Sequence, residues 1–550
     1  MINNSRCPEF VGLRISPACG TGQFDGGCSF DSRYADISME GRLPDTVLAR
    51  DAIAIRLHPA DNVTVAVRKL PAGATLPGSI ITREPVPSGH KIAVAAIAPG
   101  EAVRKYGQVI GVATQPIAPG AHVHVHNLVM SEQRSDAEVP DFWRRKEEPR
   151  SFRGYRRKDG RAGVRNYIGV LTSVNCSATV ARHIAEAAEK TGLLDGFANV
   201  DGIVAITHAS GCGMASAGEG FDLLRRTLWG TAANPNFGAI MLVGLGCEVL
   251  QIQRLKADYG IATNAEFESF TIQDVGGTRR AIAEGLERLR ALLPQVNAAQ
   301  RSEMPASELV LGLQCGGSDA WSGVTCNPAL GNASDRLVNL GGTAILSETP
   351  EIYGAEHLLY ARARSPEVSA RLRARMDWWE HYTKVNGAEM NNNPSPGNKA
   401  GGLSTILEKS LGAVAKAGTS PLNDVIEYAQ PCTERGLVFM DSPGFDPCSA
   451  TGQVASGATM IAFTTGRGSA YGCKPSPSIK LSSNSEIYAR MRDDIDIDCG
   501  TIATGETTIE QKGEEILTYL LEVASGRKSK SEELGYGGVE FVPWQVGAVM

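Results

Sequence analysis

Apolar runs that end in polar or glycine residues recur along the chain after residue 150. Stretches of helical character separate these runs, which is the pattern of parallel strands buried on both faces of a sheet. Open parallel sheets bind ligands beyond the carboxyl ends of their strands, so the polar ends predict a functional site. They carry Ser173, Asn175 and Cys176; His208 and Cys212; Cys247 and Glu248; Cys315, Ser318 and Asp319; Ser347 and Glu348; Asp441; and Thr465 with Arg467.

The segment from residue 46 to residue 130 has a different pattern. Short β-branched stretches alternate with LPAG, VPSG and two copies of IAPG, and Pro followed by Gly is typical of tight turns between strands. This pattern predicts a small all-β module. Residues 1–45 are Gly-rich without periodicity and predict an irregular arm, and the charged, Pro-containing residues 131–150 predict a linker.

The predicted fold class is therefore α/β, with a small all-β amino-terminal module followed by domains built on mostly parallel sheets. The length of 550 residues exceeds what one hydrophobic core usually serves. We place two α/β domains at 151–305 and 306–550.

The composition narrows the classes of partner. With 54 Lys and Arg against 60 Asp and Glu, the net charge is −6, and no long basic run offers a nucleic-acid surface. No apolar run reaches the roughly 18 residues needed to cross a bilayer, and the first residues do not resemble a signal peptide. We expect a cytoplasmic protein without a nucleic-acid or membrane partner.

The 12 cysteines include no CxxC pair, which argues against a zinc knuckle and a thioredoxin-like site, and reduced thiols are expected. Cys7, Cys19 and Cys28 in the predicted arm fit no established ligand spacing. No phosphate-binding loop, GxGxxG, HExxH or GxSxG motif occurs, which weighs against an NTPase, a Rossmann dehydrogenase, a zincin and an α/β-hydrolase.

Histidines of the β module are candidates for metal binding or proton transfer. His122, His124 and His126 alternate, so in a strand they share one face, either as metal ligands or as an exposed polar face. His58 and His90 lie at predicted turns, where each could bind a metal, move protons or be an ordinary surface histidine.

Two further segments are candidates for binding an anion. A Pro- and Gly-rich loop and the helical stretch after it form either an anion site or a capped helix with solvated lysines, and they carry Asn393, Asn398, Lys399, Lys409 and Lys416. Arg467 lies between glycines, where its guanidinium could bind a carboxylate through two hydrogen bonds. A small anionic ligand is common to both.

The chain resembles the altronate/galactarate dehydratase family over about residues 50–550, in family order. The matching blocks are DNVTVAV, GHKIAV, VRKYGQVIG, GRAGVRNYIGV, GLGCE, LQCGGSDAWSGVTCNPALG, LSETPEIYGAEHLL, NPSPGNKAGG and FTTGRGSAYG. GAHVHVHN and ETPEIYGAEHLL are closer to the altronate branch, and CGTIATGETTIE is closer to the galactarate branch. The resemblance implies that the β module is of the β-clip, antifreeze-like kind.

The resemblance also implies a reaction. Members of the family remove water from an aldonic or aldaric acid and give a 2-keto-3-deoxy sugar acid, with a divalent metal that is commonly iron(II) and sometimes manganese(II). Removal of the proton at C2 needs stabilisation of an enediolate, and a general acid must help the 3-hydroxyl leave.

The site residues that the resemblance implies fall into three groups. The catalytic group is His90, Lys91, His208, Asp319 and Glu348. The substrate-binding group is Arg165, Asn166, Ser318, Asn398, Lys399 and Arg467. The metal-binding group is His58, Asp61, His90, Cys212 and Glu248.

Two alternatives stay open. A carbon–sulfur lyase acting on a sulfolactate-type acid shares the abstraction of the C2 proton and differs in its leaving group. A non-catalytic anion-binding protein would need hydrogen-bond donors rather than bases and metal ligands. For either enzyme, we expect a small-molecule substrate and a homo-oligomer.

Overall fold

The computed structural model describes residues 52–131, 147–259 and 265–547, without the side chains of residues 258 and 259. The predicted arm at 1–45, with its three cysteines, lies outside the described residues, as do residues 132–146 of the predicted linker.

The amino-terminal module is all β, and Pro-Gly turns separate its strands as the sequence predicts. Gly73, Gly89, Gly100 and Gly120 all have φ between 79° and 83°, a conformation that favours glycine. The two IAPG copies face each other through an antiparallel bridge between Ile97 and Ile117. The strands are Ala54–Ile55, Val63–Ala66, Thr75–Leu76, Ile80–Ile81, Lys91–Ala93, Ala102–Lys105, Gln108–Ala113, His122–Val123 and Leu128–Val129.

The second domain has a parallel sheet of four strands, which we call the four-stranded sheet. In spatial order its strands are Gly202–Ile206, Tyr167–Thr172, Phe237–Gly244 and Glu266–Thr271. The packed helices are Ala178–Lys190, Glu219–Ala232, Ile252–Tyr259 and Thr278–Asn297. A separate antiparallel sheet of Ala162–Gly163, Ser151–Arg156 and Ser302–Pro305 lies at the domain's margin.

The carboxyl-terminal domain has a parallel sheet of seven strands, which we call the seven-stranded sheet. Its spatial order is Leu422–Ile426, Gly436–Met440, Thr343–Leu346, Val310–Cys315, Met460–Thr465, Ser478–Ser482 and Ile497–Asp498. The helices around it are Cys326–Asn339, His357–Tyr360, Pro366–Val385, Pro396–Ala400, Ile406–Val414, Asp446–Ala455, Ser485–Arg490, Ile509–Ala524 and Lys530–Glu533. Leu313, Leu346, Phe439 and Ala462 of its central strands are buried.

The predicted α/β class, with a β module followed by parallel sheets, is confirmed. All seven predicted apolar runs are strands, but they divide between two sheets, three in the four-stranded sheet and four in the seven-stranded sheet. Their polar ends therefore form two separate edges rather than one site. In the described part of the chain, no helix is long and apolar enough to span a membrane.

Candidate active site

A cavity lies where the β module meets the carboxyl end of strand Val310–Cys315. Its empty volume is about 250 Å³, part of which is solvent. Three parts of the fold supply its walls: the module, the loop after the strand and the helix Ile406–Val414. The lining residues are Tyr106, Cys315, Ser318, Asp319, Ser322, Gly323, Asn327, Leu403, Glu408, Lys409, Gly412 and Ala413.

A buried cluster of charged side chains adjoins this cavity. Cys315 ends its strand, and its sulfur lies 3.9 Å from Oε2 of Glu348 and 3.6 Å from Oε2 of Glu351. Lys416 Nζ lies 2.9 Å from the Cys315 sulfur and 3.5 Å from Glu348. Lys409 Nζ lies 2.6 Å from Glu351. Two cations thus face two carboxyl groups and a thiol away from water.

The two carboxyl groups of this cluster have opposite pKa shifts. Burial raises the pKa of Glu348 well above its ordinary value, and the charge of Glu351 adds to that effect. Burial acts in the same sense on Glu351, but the charges of Lys409 and Lys416 and the hydrogen bonds from Lys409 and Cys315 together outweigh it and lower the pKa. Burial also raises the pKa of the Cys315 thiol to about 12. Burial and the closeness of the two carboxyl groups therefore favour a single negative charge on the pair, with the proton on Glu348 rather than Glu351.

Glu348 has two further unusual features. Its backbone is left-handed, with φ of 74°, a strained conformation that clusters at functional sites. Its Oε1 atom is buried without a hydrogen-bond partner among the described residues. A carboxyl oxygen held in this way is available to a ligand.

Three buried charges connect the β module to the carboxyl-terminal domain. Lys91 Nζ donates to Glu408 Oε2 at 2.8 Å, and Lys105 Nζ donates to Glu408 Oε1 at 3.0 Å. Lys91 also donates to the carbonyl of Gly402 at 2.8 Å. We call Lys91, Lys105 and Glu408 the interface triad. Lys91, predicted to be catalytic, belongs to this triad beside the cavity.

Asp61 supports the cavity wall through backbone hydrogen bonds. Its carboxylate accepts hydrogen bonds from the backbone N–H groups of His58, Tyr106 and Gly107, at 3.0, 3.2 and 2.7 Å. These bonds hold Tyr106, a cavity residue, at a positive φ of 63°. His58 Nδ1 accepts from the N–H of Ala60 at 3.1 Å. Both residues therefore shape a turn.

The module's histidines form a group near the same interface. The ring centroids of His90, His122 and His124 lie 4.9 to 5.6 Å apart, and His126 lies 5.4 Å from His122. The strand covers only His122–Val123, so the later histidines reach the group from a turn instead of a strand face. Burial lowers the pKa of His122 to about 3 and that of His124 to about 4, so both are neutral at pH 7.

The loop after Cys315 brings together several predicted site residues. Asp319 Oδ1 accepts from Ser322 and Ser483, and Oδ2 accepts from Asn484 at 3.1 Å. The side-chain amide of Asn398 donates to the backbone carbonyl of Ser318 at 2.7 Å. Its side-chain oxygen accepts from the backbone N–H of Ser395 and completes a helix capping box.

Arg467 and Lys399 flank this loop. The backbone N–H of Arg467 donates to the carbonyl of Gly317 at 2.8 Å, and its side chain is exposed. Lys399 is half-buried on the helix Pro396–Ala400 beside Asn398. Either side chain is available to a ligand that enters from solvent.

Other predicted residues lie at the edge of the four-stranded sheet, and none of them lines the cavity. Both ring nitrogens of His208 are engaged by backbone groups, those of Thr172 and Ser210. Glu248 accepts from Ser173 Oγ and from the N–H of Gly246, each at 2.6 Å. Cys212 is exposed.

The predicted five-residue metal site, His58, Asp61, His90, Cys212 and Glu248, is therefore not assembled. Among the described residues, Cys315, Glu348 and Glu351 form the only group of three His, Cys, Asp or Glu side chains whose ligand atoms all lie within 4.8 Å of one another.

Arg165 and Asn166 were predicted to bind substrate, and in the structure their side-chain donors are all used by partners within the protein. The five N–H donors of Arg165 go to Glu532 and to the carbonyls of Val164, Val523 and Arg527. Asn166 donates to the carbonyls of Asn199 and Val296 and accepts from Arg157. Both side chains serve the fold, since a saturated donor has nothing left for a ligand.

Comparison with known proteins identifies the family. The chain is 40% identical over 490 residues to the galactarate dehydratase (L-threo-forming) of Escherichia coli K12, a match that covers 87% of this chain and 94% of that protein. The chain belongs to the galactarate/altronate dehydratase family. The altronate dehydratase of Bacillus subtilis 168 is 34% identical over 499 residues, covering 87% of this chain and 96% of that protein.

Family profiles divide the chain in the same order as its folded parts. The altronate/galactarate dehydratase SAF domain matches residues 52–131, the second domain of D-galactarate dehydratase/altronate hydrolase matches 154–297, and the carboxyl-terminal D-galactarate/altronate dehydratase domain matches 306–549. A more distant relative is the (2R)-sulfolactate sulfo-lyase subunit beta of Chromohalobacter salexigens, 33% identical over 392 residues, covering 70% of this chain and 96% of that protein.

Sequence reasoning named Lys409 and Lys416 as candidate anion-binding residues but missed Glu351, Tyr106 and Glu408 of this family member's site. Glu351 lies in the short 3-10 helix Thr349–Ile352, three residues after Glu348, and this spacing is the one local signal that could have pointed to it. Glu408 has no comparable signal, because its partner Lys105 is 303 positions away. Only the tertiary fold brings those two together.

The structural role of Arg165 gives a first prediction. Arg165→Lys keeps the charge but cannot reproduce the bidentate pair with Glu532, whose two bonds are 2.6 and 2.7 Å. We expect a melting temperature lowered by several degrees and a KM for substrate within about twofold of the unmodified protein. Thermal unfolding and steady-state kinetics test this, and a large rise in KM at unchanged stability would restore Arg165 as a substrate ligand.

Proposed function

We propose that this protein is a sugar-acid dehydratase, a hydro-lyase that converts an altronate- or galactarate-type acid into a 2-keto-3-deoxy sugar acid. The names of its relatives support the class of reaction. The observation that carries the proposal is the charge around the cavity. Four buried lysines, Lys91, Lys105, Lys409 and Lys416, stand against three carboxylates, Glu351, Glu408 and Asp319, which leaves positive charge in excess. An anionic substrate would restore the balance.

The residues that line the cavity provide the proton transfers that dehydration needs. Asp319 is the candidate base for the C2 proton, because burial raises its pKa and so makes its carboxylate more basic than an exposed one. Lys409 and Tyr106 are the candidate donors toward the enediolate oxygens and the departing 3-hydroxyl. Electrostatic effects raise the pKa of Lys409 despite its burial, and burial raises that of Tyr106, so both carry their protons at pH 7.

We further propose that the reaction uses a divalent metal ion, iron(II) or manganese(II). Cys315, Glu348 and Glu351 would hold it, and the unpartnered Oε1 of Glu348 supports this fit. Sulfur and carboxylate donors together suit a first-row transition metal. When bound, such an ion supplies a Lewis acid for the carboxylate and hydroxyl oxygens of the substrate. Burial raises the pKa of both Glu348 and Cys315, and each must lose its proton to bind a metal, so metal affinity should rise with pH.

The second candidate function is elimination of sulfite from a sulfolactate-type acid. The two subunits of the Chromohalobacter sulfo-lyase match this chain at 33% and 36% identity, over 70% and 13% of its length. Both reactions begin with loss of the C2 proton and need the same cationic cavity. The dehydratases match more of this chain, which favours dehydration.

A substrate panel decides between the two. Protein loaded anaerobically with iron(II) or manganese(II) is incubated with altronate, galactarate, their epimers and sulfolactate. We expect a 2-keto-3-deoxy acid from one sugar acid and none from protein treated with a chelator. Release of sulfite would identify the carbon–sulfur lyase. No product from any acid, with metal shown to be bound, would favour the non-catalytic anion-binding alternative.

A further inference from the structure

Three cysteines of the second domain differ from all the others that the structure describes. Of nine described cysteines, five are buried and Cys432 is half-buried, while Cys176, Cys212 and Cys247 are exposed. An unpaired cysteine usually behaves as a small buried hydrophobic residue, so an exposed one calls for a functional explanation. All three exposed cysteines lie in one region, the carboxyl edge of the four-stranded sheet.

The topology brings these three cysteines to neighbouring positions. They follow the adjacent strands Tyr167–Thr172, Gly202–Ile206 and Phe237–Gly244, which are all parallel. Each cysteine also precedes an α-helix: Cys212 and Cys247 lie on loops, and Cys176 lies in the 3-10 turn Asn175–Ser177 that leads into the helix Ala178–Lys190. Parallel strand ends converge on one edge, which is where such sheets bind ligands.

Backbone hydrogen bonds tie the three loops together next to the cysteines. The N–H of Asn175, the residue before Cys176, donates to the carbonyl of Ser210 at 2.9 Å. The N–H of Val249 donates to the carbonyl of Gly211 at 3.1 Å, beside Cys212. The loop of Cys212 is thus bonded on one side to the loop of Cys176 and on the other to that of Cys247.

Glycines shape the backbone around the thiols. Gly211 and Gly213 flank Cys212 with φ of 97° and 64°, and Gly246 precedes Cys247 with φ of 127°. A Cβ at Gly211 would lie 2.2 Å from the carbonyl oxygen of Ser173, so the loops approach too closely for another residue. Alternation of right- and left-handed backbone forms N–H nests, which are common at phosphate and iron–sulfur sites.

We propose that Cys176, Cys212 and Cys247 hold a [4Fe–4S] cluster at this edge. In the described chain, the sulfur atoms of these three cysteines do not all lie within 4.8 Å of one another, so they do not converge on a single ion. Thiols that bind a cluster attach to different irons and lie farther apart. Two iron(II), two iron(III) and four sulfides form a core of charge 2+, and each thiol loses its proton to solvent as its sulfur bonds to one iron. The remaining iron is open to water, a hydroxyl or a carboxylate.

The assignment is independent of the proposed dehydration, because the cluster can be detected without any substrate. It lies in a different domain from Cys315, Glu348 and Glu351. Failure of the intact chain to bind a cluster, with turnover retained, would overturn this inference alone, and a bound cluster with no turnover of any acid would overturn the proposed function alone.

The experiment uses the full chain, purified anaerobically and incubated with iron(II), iron(III) and sulfide. We expect about four irons and four acid-labile sulfides per chain, with the Mössbauer signature of a [4Fe–4S] centre. Cys176→Ser, Cys212→Ser and Cys247→Ser should each retain less than about a quarter of that iron. Cys432→Ser, which changes a half-buried cysteine of the other domain, should retain all of it.

Alkylation of the unmodified chain tests the ligands without any substitution. In cluster-loaded protein the three cysteines should resist iodoacetamide, and removal of iron by a chelator should expose all three to labelling, as mass spectrometry would report. Equal labelling in both states would overturn the assignment. So would binding of zinc or a single iron without sulfide, or iron content unchanged in folded variants of the three cysteines.

Discussion

Replacement of Glu348 by Gln is expected to lower kcat/KM by more than 100-fold. The substitution keeps the size of the side chain and removes the carboxylate oxygen that we propose as a metal ligand. Groups that merely support a metal ligand typically cost about 10–100-fold when changed, so loss of a ligand itself should cost at least as much. The amount of iron(II) or manganese(II) bound at the cluster of Cys315, Glu348 and Glu351 should fall with it.

The fold of Glu348→Gln should be intact, because burial raises the pKa of this carboxyl and so favours its neutral form. An amide in its place adds no uncompensated charge. The matched control is Glu356→Gln, a buried carboxylate of the same segment that accepts from the N–H of Gly354. We expect the control to keep its activity. Full activity in Glu348→Gln, measured with metal in excess, would remove Glu348 from the site.

Replacement of Glu408 by Gln is expected to destabilise the protein strongly. Glu408 is the only carboxylate in the interface triad, and without it Lys91 and Lys105 face each other in a buried site. Breaking a buried ion pair from one side costs about 3–5 kcal/mol, which is roughly 6–20 °C in melting temperature for a domain of this size. The shift in melting temperature is measured by thermal unfolding of the full chain, followed at the transition of the β module and the carboxyl-terminal domain.

The effect of Glu408→Gln should depend on pH in a defined direction. Burial alone would raise the pKa of Glu408, but Lys91 and Lys105 outweigh it and hold this pKa well below the ordinary 4.5. A depressed folded pKa contributes stability that is present above the ordinary pKa and is lost as pH falls through the folded one. At pH 7 the unmodified protein should therefore exceed Glu408→Gln in stability by the full amount, and this difference in stability should shrink below about pH 4.5.

The matched control for Glu408 is Glu515→Gln. Glu515 pairs with Lys512 at 2.6 Å, but its side chain is 52% exposed. An exposed pair contributes only about 0–1 kcal/mol, so the melting temperature should hardly change. Equal effects of the two substitutions, or an effect of Glu408→Gln that does not vary between pH 7 and pH 4, would contradict the role of the interface triad.

Local sequence patterns were sufficient to predict the class of the fold and seven of the eleven strands in its two parallel sheets. Apolar runs such as those ending at Thr172, Gly244 and Cys315 need no partner to be recognised, because burial on both faces demands uniform hydrophobicity. The Pro-Gly turns of the module were equally readable, because Gly73 and Gly89 adopt a positive φ that glycine favours. Strands with polar or short sequences, such as Glu266–Thr271 and Ile497–Asp498, lack that signal and were not predicted.

Which polar strand ends lie together is visible in the folded structure alone. Sequence patterns report local periodicity, and they do not reveal which parallel strands share a sheet. Seven similar strand ends thus divided into two edges, one with Cys315 and Glu348 under the β module, the other with Cys176, Cys212 and Cys247. Pairs such as Lys105 with Glu408, and Arg165 with Glu532, join residues hundreds of positions apart. The interaction energy of each ion pair depends on its burial and on the distance between its charged atoms, and both are set only when the chain folds.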